Sequence, residues 1–100
     1  MKDIDLTVTV DQPMPQALDR ILDRVDHRLR AAGLTRRAAP EGVDYRPKFV
    51  GLVLVWLVRR LQREHVMFTF DTCGPATDVR AAGRLRDRAH AELTDALGGY

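Results

Sequence analysis

The stretch Phe49 to Glu64 reads FVGLVLVWLVRRLQRE, and its assignment decides the fold. Its first ten positions, Phe49 to Val58, are all apolar if Gly51 is counted. Neither face is marked for water, so periodicity does not separate a doubly buried strand from a buried helix. Four valines, Trp56 and Phe49 favour a strand. The segment RRLQRE then connects it to a second strand, HVMFTFD over 65–71, in which Val66, Phe68 and Phe70 share a face. A helix opened by Pro47 and running to Glu64 competes with this, because it sets Val50, Leu54, Leu57, Val58 and Leu61 on one side and RRLQRE lacks turn residues. We take the hairpin as the reading and keep the helix over 47–64 as the alternative. The apolar run is about half of the ~20 residues that cross a bilayer, so no membrane span is expected.

Working outward, IDLTVTV alternates Ile4, Leu6, Val8 and Val10 with Asp5, Thr7 and Thr9, the period of a strand with one buried face. Pro13 and Pro15 suit the first turn of a helix whose stripe is Leu18, Ile21, Leu22, Val25 and Leu29 and whose cap is Gly33. Residues 35–48 hold two prolines and a glycine and read as a loop, with a short strand over 43–46. Gly74 and Pro75 break the second strand. A last helix follows them, with Val79, Ala82, Leu85, Ala89, Leu93 and Leu97 as its stripe and Gly98 and Gly99 as its stop. The expected architecture is one α+β domain over 1–100, a β-α-β-β-α two-layer sandwich with two amphipathic helices on one face of a small antiparallel sheet. With the helical alternative the order becomes β-α-α-β-α.

Apolar residues make up 45% of the 100 positions and charged residues 30%, the proportions of a folding chain. A chain of this size buries roughly 65% of its unfolded surface, enough for one core and little for a large enclosed active site. Ser and Asn do not occur, and arginine outnumbers lysine by fourteen to two, which we read as the codon usage of a GC-rich bacterium. One cysteine forms no internal disulfide, and MKDIDLTVTV has no long apolar core, so a cytoplasmic location is expected.

Cys73, in FDTCGPATDVR, stands between an expected strand and an expected helix N-terminus, where exposed N–H groups lower a thiol pKa. With Arg80 it resembles the phosphate loop of tyrosine phosphatases. That loop has five residues between its Cys and Arg, whereas six intervene here. Asp78 also sets a carboxylate in the cradle, and Pro75 removes a donor. Cys73 is therefore read as a buried or half-buried structural residue, and no catalytic residue is expected. His27, His65, His90 and Cys73 show no paired ligand spacing, so neither a metal nor a cofactor is expected.

Charge is distributed unevenly. From Arg28 to Arg63 there are nine basic side chains against Glu41 and Asp44, a local balance of +7 in a chain of net +2. Such a block suits phosphate or an acidic partner, with Arg36, Arg37, Arg59 and Arg60 as the first candidates. Only Tyr45, Phe49 and Trp56 supply aromatic faces within it. On the first helix Asp19, Asp23 and Asp26 line one flank of the stripe and Arg20, Arg24 and Arg28 the other, an arrangement that suits pairing with a second copy.

These observations give a small non-enzymatic interaction domain that forms a homo-oligomer and serves as an accessory or regulatory subunit of a larger assembly. Its expected interface is Val53, Val55, Trp56 and Leu57, because two helices cover only one face of a sheet and the apolar run needs cover on both. Another protein is a further expected partner. An RNA-binding or ribosome-associated protein using the basic block over 28–63 is the alternative; the order of elements resembles small ribosome-associated and double-stranded-RNA-binding folds. A thiol-dependent enzyme using Cys73 is the second alternative.

Overall fold

A computed structural model describes residues 2–40, 42–47 and 64–98. Among the described residues five strands and two helices follow in the order β1 (Lys2–Val10), α1 (Met14–Ala31), β2 (Leu34–Ala39), β3 (Gly42–Pro47), β4 (His65–Cys73), β5 (Ala76–Leu85) and α2 (Asp87–Leu97). The strands form one sheet in the order β1-β5-β4-β3-β2, antiparallel at every junction. Both helices pack on it, so the chain is α+β with a helical layer on a sheet.

Period-two patterning sets the buried face. Ile4, Leu6, Val8 and Val10 of β1 lie opposite Gly83, Ala81, Val79 and Thr77 of β5, and Val66 and Phe68 of β4 continue the rows to Tyr45 and Val43 of β3. α1 lays Ala17, Ile21, Leu22, Val25 and Leu29 on this face, and α2 adds Ala89, Leu93, Ala96 and Leu97. Each fully buried aliphatic side chain contributes roughly 1.5–3 kcal/mol, so the helices are held mainly by these stripes. Tyr45 is fully buried, stands edge-on to Phe68 at 5.7 Å, and donates its hydroxyl hydrogen bond to Asp26 Oδ1 of α1 at 2.8 Å. Burial first, and the Asp26 carboxylate second, raise the Tyr45 pKa well above that of a free tyrosine.

Three sequence expectations change. Residues 35–48 are not a loop with one short strand: 34–39 and 42–47 form a hairpin, and the expected strand over 43–46 is the middle of its second arm. Pro40 lies in the turn and Pro47 ends β3, where a missing N–H costs no central ladder bond. Residues 76–85 are a strand and not the first half of a helix, and α2 begins only at Asp87. Val79 and Leu85 are buried as expected, but on one strand face together with Thr77 and Ala81, while Ala82 lies on the other face. Gly74 and Pro75 are a two-residue hairpin turn between the paired Cys73 and Ala76, and the positive φ of 64° at Gly74 is what a type II′ turn needs at its first central position. Cys73 is consequently exposed and sits at no helix terminus. The run Phe49 to Val58, together with Val53, Val55, Trp56, Leu57, Arg59 and Arg60, lies outside the described residues.

Candidate interaction surfaces

The face of the sheet turned away from the helices is polar. On β1 it presents Asp3, Asp5, Thr7 and Thr9, and on β5 Asp78, Arg80, Ala82 and Arg84. Arg84 Nε donates to Asp3 at 2.7 Å, Arg80 grips Asp5 through Nε and a terminal nitrogen at 2.9 Å each, and the Thr9 hydroxyl donates to Asp78 at 2.8 Å. The donated hydrogen bonds hold the Asp3 and Asp5 carboxyls below the usual 3.8. In the middle strands the face carries Met67 and Ala82 as apolar side chains beside His65, Thr69 and Asp44. Asp44 is 4% exposed; its Oδ2 meets Arg46 Nε at 2.5 Å, while its buried Oδ1 has no hydrogen-bond partner among the described residues.

The basic block does not form one surface among the described residues. Arg28 is bound to Asp95 and lies 3.9 Å from Glu92 of α2, Arg30 holds Asp26 at 2.8 Å, and Arg46 holds Asp44. Arg36 and Arg37 are the exposed cations of the edge strand β2. Successive side chains of a strand point to opposite faces, so Arg36 stands opposite Tyr45 on the helix side and Arg37 opposite Asp44 on the outer side. The two do not converge on one phosphate.

Charge on α1 is partly spent within the chain as well. Asp26 serves Tyr45 and Arg30, and Arg28 ties α1 to α2 across an open groove of about 720 Å3 that also carries Arg24, His90 and Thr94. The hydrogen bond from Arg28 holds the Asp95 carboxyl below its usual 3.8 and raises the Arg28 pKa in return. At the N-terminal end of α2, the buried Glu64 accepts from the backbone N–H of Arg86, the N-cap residue, at 3.2 Å and forms an ion pair with its guanidinium at 3.0 Å. This carboxylate caps the positive end of the helix.

Cys73 and Arg80 are not brought together: Cys73 lies at the hairpin tip opposite Ala76, while Arg80 lies opposite Thr69 and is committed to Asp5. Among the described residues no group of three or more His, Cys, Asp or Glu side chains is placed to hold a metal ion, and no helix is long and apolar enough to cross a membrane.

One feature escaped the sequence reading. Among the described residues β1 forms an edge of the sheet and pairs with β5 through all nine of its residues, from Lys2 opposite Leu85 to Val10 opposite Thr77. The signal was the matching alternation of Asp3 and Asp5 with Arg84 and Arg80, hidden while 76–85 was read as helix. The sequence matches no protein-family model, no curated protein and no solved structure.

Proposed function

We propose that the chain is a non-enzymatic interaction domain that associates with itself and works as an accessory or regulatory subunit of a larger assembly in a bacterial cytoplasm. The observation that supports this most is the division of the sheet: one face is taken by α1 and α2, and the other is an ion-paired polar surface. Among the described residues that outer face presents little apolar surface, whereas the sequence holds ten apolar positions in a row from Phe49 to Val58. A contiguous patch of that size is uncommon on a soluble monomer, and a second copy carrying the same run is its simplest complement. Val53, Val55, Trp56 and Leu57 are the proposed contacts.

Sedimentation of the purified chain tests the reading. We expect an oligomer at micromolar concentration with Trp56 shielded from quenchers, and we expect Val55→Arg or Leu57→Arg to give monomer or unfolded chain. A stable monomer at high micromolar concentration with Trp56 still shielded would mean that one chain closes its own core, and the proposal fails.

A further inference from the structure

We infer that β1 is a seam at which two copies of this chain join edge to edge into one continuous ten-stranded sheet. The inference rests on the self-association reading and adds an edge-to-edge contact beside the one proposed at Val53, Val55, Trp56 and Leu57. In an antiparallel ladder alternate residues aim their N–H and C=O groups to either side, so an edge strand offers half of its backbone groups to a newcomer. β1 offers them along nine residues in unbroken register, with no proline, glycine or bulge to blunt the edge. The opposite edge, β2, is shorter and carries Arg36 and Arg37, and folding it onto its own copy about Arg36 sets like charges against each other.

The side chains of β1 specify a second copy as the occupant. With a two-fold axis at Leu6, Asp5 lies opposite Thr7 of the other strand, Asp3 opposite Thr9, Ile4 opposite Val8, and Leu6 opposite itself. Asp5 then meets the Thr7 hydroxyl as a donor, the kind of pairing that Thr9 and Asp78 already make across β1 and β5 at 2.8 Å, while Asp3 meets Thr9, a neutral side chain whose one hydroxyl hydrogen stays with Asp78. Arg84 and Arg80 neutralise Asp3 and Asp5 within each chain, so the two edges approach without stacking net charge. Leu6 and Val8 are half-buried on the helix side, and the seam covers their remaining apolar surface. Moving the axis to Asp5 sets Asp5 against its own copy, and moving it to Ile4 sets Asp3 against Asp5. Centring on Thr7 gives up the pairs of Lys2 and Asp3. The register at Leu6 alone uses all nine residues.

Thr7 gives a test in which folding and association respond with opposite signs. Within the chain Thr7 lies opposite Arg80, whereas across the seam it lies opposite Asp5 of the copy. Thr7→Asp therefore gains an attraction in its own chain and meets repulsion twice at the seam; Thr7→Lys does the reverse. Sedimentation equilibrium of the full chain should show Thr7→Asp raising the dissociation constant by about two- to thirty-fold and Thr7→Lys lowering it comparably. The melting temperature measured under dissociating dilution should rise for Thr7→Asp and fall for Thr7→Lys. An oligomer whose constant ignores both substitutions overturns the seam and leaves self-association standing with its contact elsewhere. A monomeric wild type overturns both. Growth beyond a closed oligomer that salt suppresses means β1 pairing with β2 of the next copy in an open chain, and it too overturns the seam.

Discussion

Cys73 shows how strongly one residue's meaning depends on the two that follow it. Read as the end of a strand before a helix, it acquires an activated thiol or a place in the core; at the tip of a Gly74-Pro75 hairpin it has neither a helix terminus nor burial. We expect Cys73→Ala to change stability by less than about 0.5 kcal/mol, as exposed substitutions do. We also expect the native thiol to react with a disulfide reagent at the rate of the unfolded chain. A native rate ten or more times faster would restore the thiol-enzyme reading. Asp44 is the opposite case. It is an acidic residue on a polar face that is nonetheless buried, with one oxygen held by Arg46 and the other unmatched among the described residues. Such a group costs free energy to bury, and Arg46 is what keeps that cost tolerable.

At the scale of elements, β5 carries the fold, since it is the strand that joins β1 to the β4-β3-β2 meander. Gly83 sits where that junction is tightest: a Cβ there would come within 2.1 Å of the His65 carbonyl oxygen on β4. We predict that Gly83→Ala lowers stability by about 1–3 kcal/mol, read as an earlier midpoint in urea. An unchanged midpoint would show that the strands stand further apart than described here. β1, α1 and β4 were legible in the sequence because each shows one period over seven or more residues, bounded by Pro or Gly. β5 was not, because Val79, Ala82 and Leu85 satisfy a helical spacing while Thr77, Val79, Ala81, Gly83 and Leu85 satisfy an alternating one. The small residues Ala81, Ala82 and Gly83 fit either. β2 escaped because an edge strand with its middle exposed shows no apolar period at all. The surfaces followed from the elements: with 76–85 misread, neither the Asp–Arg pairs nor the β1 edge could be placed, and the basic block looked continuous only in one dimension.

For the whole molecule, the ion pairs of Asp3, Asp5 and Asp95 tie segments that are far apart in sequence, β1 to β5 and α1 to α2. Asp3, Asp5 and Asp95 are each held below the ordinary 3.8, so each stabilises the folded state fully above that value and loses its contribution as pH falls through the lowered one. We predict a melting temperature that is flat from neutral pH to about 5, falls below about 4, and falls less in high salt because all three pairs are exposed. A melting temperature that does not move at low pH would mean that these pairs contribute nothing. The pairing of β1 with β5 also has a consequence for the making of the protein. Asp5 and Arg80 are 75 residues apart, and a ribosome adding ~5–20 residues per second needs about 4–15 s to cover that distance. Through that interval α1 can form on local contacts, but β1, the most regularly alternating segment of the chain, has left the tunnel and has nothing of its own to pair with. Neighbouring ribosomes on one message hold chains in the same condition, each with this strand uncovered, so the first meeting between copies can precede the completion of either.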